Sequence, residues 1–386
     1  MGKVVNINDS AKGRRSRAKS GRPRPSKTAL VLGGGGFTGG VYEIGALRAL
    51  DLLAVNSTVN DFDMYVGTSA GSFIASMLAC GITPEEMMRV LTDEDDAPIE
   101  VLDQDVMLRP NFPEYLKRAA WLPFHIAGMA KNMLPNFREL SAIDVGYGLA
   151  ENLPLGLYSN GGIGRYMREA LATKGLTDSF DALQKDLFLT ATDLDSGERV
   201  VMGDGDGYWT GVPISKAVEC STALPLVYEP VELNGRNLID GGIYSTTNVD
   251  VAVARGAKFI VVINPLVPFN PGSDGEAQSH RFSDRRIAEG GLPGVLSQTL
   301  RTMLQSRMQV GLARYPAQYP HIDQVVFEPN AGDRELFYTN IFSFAARRRI
   351  SQLAYRNTLA DLRKRRDELA PVLARHGIQL REGFYK

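Results

Sequence analysis

Cysteine is scarce in this sequence, and long apolar runs are absent. Only Cys80 and Cys220 occur among 386 residues, which excludes a disulfide framework and is typical of proteins from a reducing compartment. No stretch reaches the ~18 mainly apolar residues that a membrane span needs. The basic N-terminus is followed by no apolar segment, so we expect no signal peptide. These shortages predict a cytoplasmic protein whose contact with a membrane, if any, is peripheral and at the inner face.

Positive charge is concentrated at the N-terminus, although the net charge of the chain is only −1. Residues 1–27 contain nine Lys or Arg residues and a single acidic residue, Asp9. A basic segment containing Ser, Gly and Pro cannot bury an apolar core, so these residues are predicted to form a disordered arm. Composition favours a solubilising tail, and the alternative is peripheral contact with an anionic membrane. We expect no nucleic-acid partner.

Two short apolar runs each lead into a glycine-containing turn. Thr28–Leu32 precedes four glycines, and Phe62–Val66 precedes the sequence Gly-Thr-Ser-Ala-Gly. Apolar residues at helical spacing follow both turns, which predicts two strand–helix pairs with parallel strands. Further strands are predicted at residues 187–192, 237–239, 258–263 and 324–327. The pattern is typical of an α/β fold with a mainly parallel central sheet.

No Gly/Ser-rich or Pro-rich linker divides residues 28–386, so we expect one compact unit. Residues 28–280 are predicted to form an α/β domain, and residues 281–386 a mostly helical C-terminal part packed on it. Residues 92–165 are irregular and are predicted to be an insertion that could form a lid. Inside it, core packing is the favoured interpretation of the apolar segment Trp121–Ile126. The alternative is a lid or a membrane-contacting patch.

Ser69 lies in a pattern that is typical of a catalytic nucleophile. Gly67-Thr-Ser69-Ala-Gly71 fits the G-x-S-x-G nucleophile elbow, with a predicted strand before it and a predicted helix after it. The sharp turn holds the serine in a strained conformation, and the two glycines let the backbone pass closely. The N-terminus of the following helix favours negative charge near the serine oxygen. Ser69 is therefore the predicted nucleophile.

The glycines after the first strand have three interpretations. Gly34–Gly39 matches G-x-G-x-x-G, but a dinucleotide site needs an acidic residue after the next strand, where the serine elbow lies instead. A P-loop needs Gly-Lys-Ser/Thr, which is absent. The third interpretation is an oxyanion hole, in which glycine N–H groups at a helix start face the carbonyl oxygen of an acyl substrate. Both loops should open at the same edge of a parallel sheet, which favours the oxyanion hole.

The pattern alone leaves open which residue deprotonates Ser69. The four histidines are His125, His280, His321 and His376, and none is flanked by glycines or placed at a strand end. A Ser–Asp–His triad with His280 or His321 is one hypothesis. The other is Asp240, which ends a predicted strand before two glycines, although Asp-Gly is also a frequent turn dipeptide. A carboxylate with a reference pKa of about 3.9 needs an apolar, water-poor site to act as a base.

Three glycine-containing blocks resemble the signature of the patatin-like phospholipase family, namely Gly34–Gly39, Gly67–Gly71 and Asp240–Gly242. Residues 191–197 and 221–225 are also similar to family patterns, so the resemblance covers roughly residues 28–265. It implies a three-layer α/β/α fold in which residues 28–280 are the catalytic domain. It also implies hydrolysis of lipid or other acyl esters by a Ser–Asp dyad, with neither histidine nor cofactor.

The same resemblance assigns a role to individual residues. Ser69 would be the nucleophile and Asp240 the base. The oxyanion hole would be formed by the backbone of three glycines, Gly34, Gly35 and Gly36. The other glycines of the three blocks are Gly39, Gly67, Gly71, Gly241 and Gly242.

Thr38 departs from the family pattern, which usually has Arg or Lys at this position. A cation there would add to the oxyanion field or orient the loop. The spacing from Gly39 to Gly45 is also one residue longer than usual, with Gly40 as the extra residue. These departures sustain a second hypothesis, a catalytically weak patatin-like protein that binds lipid or has a regulatory role. A nucleotide-binding protein is a third hypothesis, which the missing acidic residue disfavours.

No metal site is predicted. Asp193-Leu-Asp195 and Asp204-Gly-Asp206 resemble the starts of calcium loops, but neither continues with the required oxygen ligand and glutamate. No Cys/His cluster has zinc spacing. Residues 347–366 combine basic side chains with apolar ones at helical spacing. A solvated surface helix is one interpretation of that segment, and docking on anionic lipid is the other.

Overall fold

The computed structural model describes residues 26–92, 99, 102, 104–133, 154–205, 207–266, 291–329 and 344–381. Most of the predicted basic arm, up to residue 25, lies outside the described residues, and so does His280. The strands are β1 (Thr28–Leu32), β2 (Met64–Thr68), β3 (Arg109–Pro110), β4 (Gly156–Ser159), β5 (Asp186–Asp193), β6 (Arg199–Met202), β7 (Leu226–Tyr228), β8 (Val231–Leu233), β9 (Arg236–Asp240), β10 (Phe259–Ile263) and β11 (Asp323–Phe327). The helices are α1 (Gly36–Asp51), α2 (Ala70–Ala79), α3 (Pro84–Thr92), α4 (Gln104–Met107), α5 (Phe112–Met133), α6 (Gly161–Thr173), α7 (Ile214–Ser221), α8 (Val249–Ala254), α9 (Gly291–Gln318), α10 (Arg347–Lys364) and α11 (Arg366–Arg375).

A mixed eight-stranded sheet forms the centre of the protein. Its order is β11-β10-β1-β2-β5-β9-β8, and β6 also pairs with β5. β11, β10, β1, β2 and β5 run parallel, whereas β6, β8 and β9 form antiparallel pairs. The predicted α/β fold with a mainly parallel central sheet is therefore confirmed. Every predicted strand is present, and β2 begins two residues later than expected.

Apolar side chains cover both faces of the central sheet. Leu30 and Leu32 of β1 face one core, and Ala29 and Val31 face the other. α1, α2, α6, α7 and α10 contribute to the first core, and α8 with part of α9 contributes to the second. Since both faces are buried, the strands read as nearly continuous apolar runs. The result is a three-layer arrangement of helices, sheet and helices.

The basic C-terminal segment forms two helices, α10 and α11, which meet at Arg365. Their apolar residues Ile350, Leu362 and Leu369 are buried in the same core as α1 and α2. α10 lies so close to α1 that a Cβ on Gly45 would overlap the carbonyl oxygen of Ser351. The apolar face of this segment is therefore covered by protein, as expected for the surface-helix interpretation.

The segment 92–165 is partly described and contains α4, α5 and the strands β3 and β4, which form a small sheet with the later strand β7. Trp121 and Phe124 lie on α5 and are 56% and 69% exposed. The core-packing interpretation is therefore wrong for these two side chains, because the helix presents them to solvent. In the described part of the chain, no helix is both long and apolar enough to cross a membrane. The same residues contain no cluster of three or more side chains that could bind a metal ion.

Candidate active site

Ser69 sits on a sharp turn between β2 and α2. Its backbone has φ 54° and ψ −125°, a left-handed conformation that is rare for a residue with a side chain. A Cβ on Gly67 would lie 2.5 Å from Ser72 Cα, and a Cβ on Gly71 would lie 2.5 Å from the carbonyl oxygen of Leu32. The two glycines are therefore required by close backbone contacts on either side of the serine. This geometry is that of a nucleophile elbow.

β5 brings Asp240 to Ser69. Thr68, the last residue of β2, pairs with Thr190 of β5, and Asp240, the last residue of β9, pairs with Ala191. β6 occupies the opposite edge of β5 at these positions, so β2 and β9 share one edge and meet end to end. The parallel β2 and the antiparallel β9 therefore deliver the serine and the aspartate to one point.

Ser69 and Asp240 are in direct contact. Ser69 Oγ donates a hydrogen bond to Asp240 Oδ2 at 2.5 Å, and the Gly242 N–H donates to Oδ1 at 2.7 Å. Both side chains are buried, and Asp240 is 2% exposed. Burial raises the pKa of Asp240 to about 6, and the hydrogen bonds from Ser69 and Gly242 limit the rise. The carboxyl is thus ionised at neutral pH and more basic than an exposed aspartate.

A buried polar cluster, formed by Asn248, Thr68 and Thr190, supports this point of the sheet. Asn248 Nδ2 donates to Thr68 Oγ1 at 2.9 Å and to Thr190 Oγ1 at 3.2 Å. The backbone N–H of Ser69 donates to Ser221 Oγ at 2.9 Å. Sequence reasoning did not select these side chains for the site. Its one signal was that Ser221 begins a segment similar to the patatin-like pattern.

The glycine loop touches the serine. A Cβ on Gly34 would lie 3.2 Å from Ser69 Cβ and 3.8 Å from its Oγ. The Gly34 N–H donates to the carbonyl oxygen of Thr246 at 3.1 Å, so this amide is already engaged. In the described part of the chain the amides of Gly35 and Gly36 have no protein acceptor, since they precede or open α1. Of the three predicted amides, two are therefore available to a ligand.

The described histidines lie away from Ser69. His321 is exposed. His376 contacts Asp323 through Nε2 at 2.7 Å and Ser26 Oγ through Nδ1 at 2.5 Å, and its ring stacks on Phe259. Among the described residues that line the pocket around Ser69, none is a histidine. The side chain of His125 and all of His280 are outside the described residues.

Ser69 and Asp240 open into a pocket of about 1060 Å³, including its mouth. Its walls come mainly from α1, α2, α3, α4 and α6, and they are largely apolar. They include Ile44, Phe73, Met87, Met107 and Ile163. Apolar walls of this kind favour the binding of an apolar group, because the surfaces of both leave water on contact.

Glu43 is a further acidic residue near the site, on the buried face of α1. Its side chain is fully buried, and neither carboxyl oxygen forms a hydrogen bond of regular geometry, although the Gly33 N–H interacts with the carboxyl. Burial raises its pKa well above the usual range. Glu43 does not line the pocket, so its position is that of a core residue rather than of a second base.

An α/β protein with a serine on a strained strand-to-helix turn, bonded to a buried carboxylate, has the arrangement of a serine hydrolase. The family model "Patatin-like phospholipase" matches residues 30–253, more than half of the chain. The chain belongs to the patatin-like phospholipase family. The resemblance seen in the three glycine-containing blocks is thus confirmed.

Two named proteins show sequence similarity to the chain. The probable lipid hydrolase 463L of Invertebrate iridescent virus 6 is 23% identical over 281 residues, which are 69% of this chain and 78% of that protein. The protein YqhO of Bacillus subtilis (strain 168) is 24% identical over 221 residues, which are 54% of this chain and 64% of YqhO. The matched region therefore spans slightly less than two thirds of YqhO.

Two solved structures are similar at low identity. VipD from Legionella pneumophila is 15% identical, with a TM-score of 0.37, over 92% of this chain and 72% of VipD. The type III effector ExoU is 14% identical, with a TM-score of 0.34, over 89% of this chain and 54% of ExoU.

Proposed function

We propose that this protein is a lipid acyl hydrolase in which Ser69 is the nucleophile and Asp240 the general base. The observation that carries the proposal is the 2.5 Å hydrogen bond from Ser69 to Asp240 in a largely apolar pocket. Membership of a phospholipase family supports a lipid ester as substrate. The name of the viral relative, a probable lipid hydrolase, points the same way.

In the proposed mechanism Asp240 accepts the hydroxyl proton of Ser69 while Oγ attacks the ester carbonyl carbon. The tetrahedral intermediate then collapses, the ester C–O bond breaks, and the proton passes from Asp240 to the leaving alcohol. Water attacks the acyl-enzyme in the second half of the reaction and gives its proton to Asp240. Release of the carboxylic acid returns that proton to Ser69.

The glycine loop would stabilise the negative charge of the intermediate. The free amides of Gly35 and Gly36 are the proposed donors to the oxyanion, helped by the positive end of the α1 dipole. Gly34 has a different proposed role, because its amide is bound to Thr246. A side chain at Gly34 would press against Ser69, so this glycine keeps the space above the nucleophile open.

The experiment that tests the proposal is labelling with a fluorophosphonate probe, combined with hydrolysis of short- and long-chain p-nitrophenyl esters. Wild-type protein should be labelled and should hydrolyse the esters, and Ser69→Ala should do neither. Ser76→Ala is the matched control, because Ser76 is a buried serine of α2, the helix that follows Ser69, and it donates to the Ser72 carbonyl at 2.7 Å. Labelling that persists in Ser69→Ala would show that the nucleophile is wrongly assigned.

Thr38 favours one alternative, a catalytically weak protein that binds lipid or has a regulatory role. It is buried at the second residue after Gly36, where the family usually has a cation. Under this alternative, folded wild-type protein would bind lipid in the pocket but would neither label nor turn over esters. The same experiment therefore decides between the two functions.

A further inference from the structure

Among the described residues that line the active-site pocket, Arg347 is the one with a positively charged side chain. It lies at the first residue of α10 and is partly exposed, while the walls around it are mostly apolar. A cation in such a place has a low-dielectric surrounding on one side and solvent on the other, which strengthens its attraction for an anion.

The packing of α10 on α1 places Arg347 at the same end of the pocket as the glycine loop. The rings of Phe37 and Phe344 stack at 4.0 Å between centroids. Further along both helices, Arg48 lies over the ring of Tyr355 at 5.6 Å. Residue numbers rise together in both contacts, so the two helices run parallel. Their N-termini, with the positive ends of both helix dipoles, therefore lie side by side.

The guanidinium of Arg347 is held by two backbone carbonyls. Nε donates to the Leu91 oxygen at 2.7 Å, and Nη1 donates to the Phe344 oxygen at 3.3 Å. Among the described residues no carboxylate forms an ion pair with Arg347, and Nη2 has no acceptor. The side chain is thus oriented by neutral groups and keeps its charge and donors for a ligand. Such a fixed guanidinium suits the oxygens of a phosphate.

The residues that α1 contributes to the pocket lining are all uncharged, and Thr38 is not among them. The positive charge in the described lining therefore comes from α10. We propose that Arg347 binds the phosphate of a phospholipid substrate and so selects phosphate-bearing esters over neutral ones. The proposal rests on the proposed function of the site.

The test compares two substrates with the same acyl chain, 1-palmitoyl-lysophosphatidylglycerol and 1-palmitoylglycerol. Loss of a charge-assisted hydrogen bond in Arg347→Gln should lower the ratio of their kcat/KM values about 10- to 100-fold, mainly through the KM of the phospholipid. Arg347→Lys should restore part of this preference, because it retains the charge without the planar fork.

Arg348→Gln is the matched control. Arg348 donates to the carbonyl of Thr92, next to the Leu91 carbonyl that Arg347 binds, but it is exposed and does not line the pocket. Its substitution should leave the substrate ratio unchanged. An Arg347→Gln variant that loses activity equally on both substrates, or on neither, would overturn the proposal and leave Arg347 as a structural residue.

Binding separates this inference from the proposed function. The Kd for lysophosphatidylglycerol, measured by calorimetry, should be at least about tenfold higher for Ser69→Ala/Arg347→Gln than for Ser69→Ala. If wild type hydrolyses neither these lipids nor the p-nitrophenyl esters, the proposed hydrolase is wrong, and the binding ratio still decides the role of Arg347. Equal binding by the two variants would refute that role.

Discussion

The carboxyl of Asp240 should make activity and stability change in opposite directions with pH. Burial raises its pKa from 3.8 to about 6, and two units correspond to about 3 kcal/mol. The stability that the neutral carboxyl contributes is complete below pH 3.8 and is lost as the pH rises through about 6. The proposed base must be ionised, so activity should instead rise to a plateau over the upper part of this window.

The assay measures kcat/KM for a p-nitrophenyl ester and the free energy of unfolding from about pH 4.5 to about pH 8. At about pH 5 activity should be about one tenth of the plateau. Asp240→Asn keeps the shape of the side chain without its charge. This variant should be inactive. Its free energy of unfolding, compared with that of wild type, should increase by up to about 3 kcal/mol from low to neutral pH.

The difference in pH dependence between wild type and Asp240→Asn isolates the contribution of Asp240 from those of other groups that titrate in the same range. A kcat/KM profile that is flat through pH 6, or whose midpoint lies near 4, would refute the argument that burial activates this carboxylate. An identical pH dependence of stability in the two proteins would do the same. A midpoint that moves to the histidine range in the Asn variant, with activity retained, would support a triad instead.

Three further substitutions test predictions about stability. Gly67→Ala should destabilise the fold by about 1–3 kcal/mol, because its Cβ would lie 2.5 Å from Ser72 Cα. Gly40→Ala, whose Cβ would meet atoms only at 3.7 Å or beyond, should stabilise α1 by up to about 1 kcal/mol. Thermal melts measure Tm for both variants, and shifts of the same sign would contradict this pair of predictions. Glu43→Gln should raise Tm at pH 8 but not at pH 4, since the raised pKa of Glu43 costs stability only where the carboxyl ionises. An equal shift at both pH values would mean that Glu43 acts through packing.

The parts of the site that sequence reasoning predicted are those encoded by local constraints. The elbow around Ser69 could be recognised because its two glycines are needed within two residues of the serine, where backbone contacts at 2.5 Å exclude any Cβ. Strands such as β1 could be recognised because both of their faces are buried. Asp240 was one of two candidates until the resemblance favoured it, since a strand-end Asp-Gly is also an ordinary turn.

The parts that were missed depend on contacts between distant segments. Ser221 meets the backbone of Ser69 across 152 positions, and Asn248 meets Thr68 across 180. Arg347 enters the pocket only because α10 lies parallel to α1, and no spacing in the sequence encodes that pairing. The engagement of the Gly34 amide by Thr246 is equally non-local, so a glycine count could not show which amides are free.

The end-to-end meeting of β2 and β9 explains why an aspartate could serve here without a histidine. With Ser69 Oγ 2.5 Å from Asp240 Oδ2, no space is left between them for an imidazole. A directly bonded carboxylate keeps the serine oriented, but its ordinary pKa would make it too weak a base. Burial among apolar residues supplies the missing basicity, at a cost in folded-state stability that grows as the group ionises. In this protein the geometry of β5, the strength of the proposed base and the pH dependence of stability are therefore consequences of one strand pairing.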